Sequence, residues 1–313
     1  MILLSLIIPV LHLDLHLPLL FKSIAKFSST ELEIIVVNQS DGELPDYLTR
    51  EVCIPIIDHI TDTIVSAANA RNLGASLASG EYVFFLDDDA LFYSDEIAFK
   101  GLLSELHSGP DVLVVQRGEI VDGKFISHWP KGVLTVTYRN FPRIIIEWNL
   151  IIKKSIFNKL GGFPEIGSGS PHAALSGEAF VLASKIVAIN LAILLWPSVQ
   201  IAHPGLFEKI KPVSVALGYS YGAGYAVGLS LPSFDLKMKI YWVFRVMGAS
   251  LSDLFLRKGE LIFTIEKVDK LKYRFGLAKC KLYGFFSAMI NKSPKPLAWL
   301  EHEASKIIPR YKN

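Results

Sequence analysis

Tyr82-Val83-Phe84-Phe85-Leu86-Asp87-Asp88-Asp89 is an apolar run that ends in three consecutive carboxylates. Its apolar part, Tyr82 to Leu86, reads as a strand buried on both faces, the kind found in a parallel sheet covered by helices. Ligands of open α/β sheets collect outside the carboxyl ends of such strands. Three adjacent carboxylates repel one another, and the repulsion is relieved when they share a divalent cation with phosphate oxygens, because magnesium and manganese take hard oxygen ligands. A cation so placed neutralises charge on a diphosphate. The same triplet also suits a solvated acidic turn or a helix start. The strand that delivers it favours the binding reading.

Upstream, Ser5 to Val10 and Glu33 to Val37 are further apolar runs with polar turns behind them, the second followed by Asn38-Gln39-Ser40-Asp41-Gly42. Leu17 to Phe27 has helical spacing and suits a crossover between them, which makes a βαβ unit. Ser66 to Ala78 reads as a second helix with alanines, Leu73 and Leu77 as its buried stripe, and Asp95 to His107 as a third. Strand and helix alternate as in a doubly wound sheet. From Asp111 to Trp148 short β-type runs dominate, Ser155 to Gly162 is a helix closing at a glycine pair, and Gly161 to Ser176 is a loop of the length that carries function. Beyond Leu236 come basic, aromatic-rich helices with a break at Lys292 to Pro296.

The chain has 313 residues, enough for one large α/β domain with an appendage. Its two cysteines, Cys53 and Cys280, lie far apart and make neither a disulfide framework nor a zinc spacing, so a reducing compartment is expected. Formal charge is uneven: an excess of 10 positive charges from Lys237 to Asn313 stands against an excess of 8 negative charges before it. The tail therefore suits an anionic surface. The amino terminus lacks a basic start and is broken by His12, Asp14, His16 and Pro18, so it reads neither as a cleaved signal nor as a span. Ile186 to Ala202 and Pro212 to Phe234 carry no Asp, Glu, Lys or Arg, yet Asn190, Pro197 and the glycines at 218, 222, 224 and 228 argue against transmembrane helices.

Order along the chain sharpens the reading. Ser5-Leu6-Ile7-Ile8-Pro9, then Glu33 through Asp41, then Ala70-Arg71-Asn72-Leu73-Gly74 and Gly80-Glu81-Tyr82 precede the aspartates. Here the sequence resembles the family 2 inverting glycosyltransferases of the GT-A fold. The resemblance implies nucleotide-sugar contacts at Pro9, Asn38, Asp41, Arg71, Asn72, Asp87 and Asp88, and metal ligands at Asp87 and Asp89. Asn38 stands where the family usually has aspartate. Gly161-Gly162-Phe163-Pro164-Glu165, Ser176-Gly177-Glu178, Pro197 through His203-Pro204 and Tyr221-Gly222-Ala223-Gly224 continue the likeness to about residue 230. They imply a GED-type motif, a strand-end histidine and a YGxG-type segment.

An inverting transfer needs a base for the acceptor hydroxyl, and the resemblance puts Glu178 in that role, although Ala179 replaces the family's second acid. A glutamate so placed also suits a helix amino terminus. By analogy His203 joins the metal ligands, and a structural histidine is its other reading. Arg71 divides between phosphate contact and surface helix, and Tyr219, Tyr221 and Tyr225 between stacking on acceptor sugars and core packing.

The expected architecture is α/β: a GT-A domain over residues 1–230, Rossmann-like with a mostly parallel central sheet, and a helical extension over 231–313. The expected activity is metal-dependent transfer, with Mg²⁺ or Mn²⁺, from a nucleotide-diphospho-sugar of UDP type to a glycan or lipid-linked acceptor. No nucleic acid is expected as partner. The expected place of work is the cytoplasm; the basic helices suit the inner face of an anionic membrane and equally suit a cover on the catalytic domain or a contact between two copies. Two alternatives stand beside it: a relative that binds nucleotide-sugar without transfer, and a sugar-phosphate nucleotidylyltransferase. The latter needs a glycine-rich basic loop after the first strand, where His12-Leu13-Asp14-Leu15-His16 stands instead.

Overall fold

The apolar start of the quoted run is a strand, and the apolar runs around it are its neighbours. In the computed structural model, which describes all residues except 14–15, 28, 131, 133–134, 204–211, 256–267 and 309–313, the first half forms β1 (Leu4–Val10), α1 (His16–Ile24), β2 (Leu32–Asn38), α2 (Asp46–Glu51), β3 (Ile56–Ile60), α3 (Ala67–Leu77) and β4 (Tyr82–Phe85). β5 (Leu91–Phe92), α4 (Glu96–His107), β6 (Val112–Val121), β7 (Lys124–Ser127), α5 (Phe141–Ile144), β8 (Leu150–Lys153) and α6 (Lys154–Lys159) follow. The second half supplies α7 (Glu178–Ala188), β9 (Ile193–His203), α8 (Val213–Ser230), α9 (Leu236–Asp253), α10 (Lys270–Met289) and α11 (Leu297–Ser305).

The nine strands among the described residues join one sheet in the order β3-β2-β1-β4-β8-β6-β9-β5, with β7 on β6. β1, β2, β3, β4, β6 and β9 run one way, and β5, β7 and β8 run against them. The fold is thus α/β with a mostly parallel sheet, as the alternation of strand and helix predicts. β2 is buried at every residue, which is what a near-continuous apolar strand covered on both faces requires. α1 turns Leu17, Leu20, Phe21 and Ile24 to the core at helical spacing. α3 is capped by Ser66, whose Oγ accepts from Asn69 N, and it sits close on the sheet. At Gly74 an added Cβ would lie 2.4 Å from Ile7 Cγ2, so only glycine permits this approach.

The chain divides into two compact units, Met1–Phe163 with Ile189–Gly205, and Pro164–Ala188 with Leu206–Asn313. The sheet and its helices make the first. The second is helical, built around α8 and α10, whose backbones nearly touch: a Cβ at Gly284 would lie 2.2 Å from Tyr221 O. Packing thus groups α8 with the helices after it, whereas the division at residue 230 follows chain order. Tyr221 and Tyr225 are buried in this helical core, where the Tyr225 hydroxyl donates to Lys292 O at 3.0 Å. They take the packing reading. No helix among the described residues is long and apolar enough to cross a membrane. Of the two uncharged stretches, one is the end of α7 with β9, and the other is chiefly α8.

Candidate nucleotide and metal site

β4 parts from the sheet where its aspartates begin. Leu86 N still donates to Ile7 O at 2.9 Å, and Ala90 N then folds back on Asp87 O at 3.0 Å. β5 pairs antiparallel with β9, Leu91 opposite Ala202, so the aspartate turn comes to rest beside the next residue, His203. His203 Nε2 stands 2.8 Å from Asp89 Oδ1 and 3.8 Å from Asp87 Oδ2. The imidazole stacks on Trp148 with centroids 5.5 Å apart, which holds the ring in this orientation. Pro204 lies outside the described residues. Arg71, buried on α3, closes the other side, with its Nη2 2.5 Å from Asp87 Oδ1.

One ligand atom from each of Asp87, Asp89 and His203 lies within 4.8 Å of the others. Two carboxylate oxygens and an imidazole nitrogen gathered this way fit a divalent cation that keeps open positions for phosphate oxygens. Asp87 can serve Arg71 with one oxygen and the cation with the other. Asp88 lies half-buried in the same turn.

Pro9 lies in β1 opposite Val37, at the same carboxyl edge. Asn38 ends β2 fully buried: its Oδ1 accepts from Ser40 N at 3.0 Å and from Ser40 Oγ at 2.6 Å, and its Nδ2 donates to Gly42 O at 2.8 Å and to Asp58 Oδ2 at 3.4 Å. The turn holds Asp41 out in solvent. Beside it stands Asp58 of β3, absent from the sequence reading. Its Oδ2 accepts from Leu44 N at 2.9 Å, while its Oδ1 is buried without a hydrogen-bond partner among the described residues. A carboxylate oxygen thus adjoins the turn whose own residue is an amide. Asn72 instead clamps the glycine-pair loop, donating to Phe163 O at 2.8 Å and accepting from Phe163 N at 2.9 Å.

Glu147, Trp148 and Arg117 also belong to this edge, and sequence reasoning missed them. β8 runs antiparallel to β4, so its amino end meets the carboxyl ends of the parallel strands. The turn before it, Glu147–Asn149, is held by Asn149, which donates to Val115 O at 3.0 Å and to Ile144 O at 2.8 Å. Burial pushes the Glu147 carboxyl above its ordinary range. Arg71 and Arg117 pull it down, and Asp87 pushes it up. No periodicity marks such a residue, because its relevance depends on the reversed strand behind it.

Glu178 belongs to the helical unit. It is the first residue of α7 and is 6% exposed. It lies so close to Gly167, in the loop before it, that a Cβ there would sit 2.4 Å from Glu178 Cδ.

An open, mostly parallel α/β sheet with carboxylates, a histidine and an arginine converging at its carboxyl edge defines a nucleotide-binding protein of the GT-A kind. Within that class, the model of Glycosyl transferase family 2 matches residues 5–174, and the chain belongs to this family. A Haemophilus influenzae protein described as an uncharacterized glycosyltransferase is 26% identical over 169 residues, 52% of this chain and 51% of its own; the chain thus spans about half the length of the curated relative it matches. Among solved structures, S. aureus TarS 1-349 in complex with UDP shares the fold, with a TM-score of 0.60 and 15% identity over 93% of this chain and 91% of that one. TarS 1-349 in complex with UDP-GlcNAc gives 0.59 and 16% over the same shares.

Proposed function

We propose that the protein transfers a sugar, with inversion, from a UDP-sugar to a hydroxyl of a glycan or lipid-linked acceptor, working at the cytoplasmic face of an anionic membrane. The observation that carries this is the convergence of Asp87, Asp89 and His203 within 4.8 Å, with Arg71 on Asp87, at the edge where such sheets bind nucleotides. UDP as the nucleotide is supported by the complexes of the fold neighbour. Mg²⁺ or Mn²⁺ held by the trio would stabilise charge on the leaving diphosphate. Arg71 adds a fixed positive charge, and Pro9, the turn of Asn38 and Asp41, and Asp88 form the nucleoside side of the site, with Asn72 shaping the loop beside it. Glu178 is the base: its carboxylate takes the acceptor proton as that oxygen bonds to the anomeric carbon and the bond to the diphosphate breaks.

Calorimetry of UDP with and without Mn²⁺, repeated on Asp89→Ala, tests the donor site. Manganese is expected to tighten UDP by about tenfold or more, roughly 1.4 kcal/mol, in the parent only. Equal affinity in all three titrations ends the reading. Glu178→Gln is expected to lower transfer by about 10²- to 10⁴-fold with UDP affinity retained. Ala179 and the burial of Glu178 favour one second reading, a nucleotide-sugar-binding relative without transfer. Parental UDP binding with no transfer of any sugar, before or after Glu178→Gln, selects it.

A further inference from the structure

We propose that the helical unit holds a second binding site, a small slot for a single hydrocarbon chain that ends in a phosphate. It is a cavity of about 290 Å³ among the start of α7, α8, α9 and α10. Its walls are Phe180 and Trp242, whose rings meet edge to face at 4.9 Å. Ala226 and the small side chains of Ala223 and Ala249 leave the space between them open. At that size it lies at the lower edge of small-molecule sites, which run from about 300 to 1,000 Å³. A sugar or nucleotide needs several polar partners to replace its water, and these walls offer few. A hydrocarbon needs none.

Two cations line the same cavity, Lys281 and Arg245. Lys281 Nζ lies 2.7 Å from Asp253 Oδ2, so its charge is already balanced. Arg245 is exposed and has no ion-pair partner among the described residues. An apolar slot with one guanidinium that pairs with no described carboxylate selects an amphiphile: the tail buries apolar surface, and the head accepts from the guanidinium, which matches phosphate oxygens in pairs. On the same helix, Ile240 and Phe244 are exposed, an outer surface suited to the lipid environment from which such a chain comes. The slot has room for one chain, which fits a lipid-linked acceptor better than a two-chain bilayer lipid. In this respect the inference rests on the proposed function.

The test is calorimetry on the full chain with decyl phosphate below its micellar concentration, decanol, inorganic phosphate, a short two-chain phosphatidate and an acidic leucine-rich peptide. Ala223 and Arg245 are both exposed, so Ala223→Leu fills the slot and Arg245→Glu reverses its charge without disturbing packed core. Decyl phosphate should bind saturably, and inorganic phosphate at least about tenfold more weakly. Arg245→Glu should cost about tenfold, the scale of one charge-assisted pair, and Ala223→Leu should remove binding while leaving UDP affinity intact. The slot is refuted by no binding of decyl phosphate, or by equal binding to parent and both variants. Preference for the two-chain lipid makes it a bilayer contact, and displacement by the peptide makes it a protein-docking site; either overturns the proposal. Retained decyl phosphate binding in a protein that fails to bind UDP counts against the donor site alone.

Discussion

Glu33 shows how one side chain fastens the sheet at the end away from its ligands. It is 4% exposed, and its carboxylate accepts from Ser5 Oγ at 2.6 Å, Ser79 N at 2.6 Å, Ser79 Oγ at 2.8 Å and Gly80 N at 3.2 Å. Burial alone would push this carboxyl up. The hydrogen bonds outweigh it and hold the group below its ordinary range. The folded state therefore favours the ionised form, so the contribution is complete above the unfolded pKa and is lost as pH falls through the lower, folded one. Glu33→Gln is expected to destabilise by about 1.5–3 kcal/mol at neutral pH, the scale of hydrogen bonds to a charge. Urea midpoints of parent and variant should converge in acid. A gap that stays constant down to acid pH would show that the charge is not what matters. Nothing in the sequence marks Glu33 as special, since its four donors come from positions up to 47 residues away. Glu147 and Asp58 escaped for the same reason. Asp87 and Asp89 are legible because the apolar strand before them announces its end locally, whereas His203 is reached only through the family resemblance.

At the scale of elements, apolar runs and caps carried most of the information. The helix expected over Ser66 to Ala78 is α3 with Ser66 as its cap, and the one over Asp95 to His107 is α4 with the Asp95 side chain accepting from Ala98 N. The break at Lys292 to Pro296 separates α10 from α11. β3 has no clear local signature, because Ile56 to Ile60 is interrupted by Asp58 and His59, polar residues that an edge position in the sheet tolerates. The YGxG-type segment resembles a family motif, and in the fold its glycines are packing devices. A Cβ at Gly224 would lie 1.9 Å from Lys281 O, backbone that cannot yield without parting α8 from α10. Gly224→Ala should therefore destabilise by about 1–3 kcal/mol, as overpacking does. Gly248 in α9 has nothing within 4 Å of the same added atom, and Gly248→Ala should stabilise by up to about 1 kcal/mol through helix propensity. Denaturant midpoints of the pair check both signs. A neutral Gly224→Ala would mean that the two helices do not meet this closely.

Across the whole molecule, charge and exposed apolar surface are distributed together. The excess of 10 positive charges falls from Lys237 onward, and there the helices leave large apolar side chains in solvent. On α9, Leu236, Ile240, Phe244 and Leu251 recur at intervals that keep one face, and Phe244 is 72% exposed. On α10, Leu271, Phe275 and Phe286 do the same, with exposed Ile290 just past the helix end, and Phe275 is 56% exposed. Apolar stripes beside lysines bind interfaces through buried area plus attraction to anionic lipid, about 1 kcal/mol per basic residue near the surface. Four engaged lysines would thus hold the chain by roughly 4 kcal/mol, and each phenylalanine inserted adds about 1.5–3 kcal/mol. Co-sedimentation with vesicles measures both contributions. The chain is expected to pellet with anionic vesicles and to be released by high salt, since screening weakens surface attraction. Phe244→Ser with Phe275→Ser should reduce retention at low salt while leaving UDP affinity unchanged, because both positions are exposed. If these faces instead join two copies of the chain, neither vesicle type retains the protein, and the double variant halves its mass in solution.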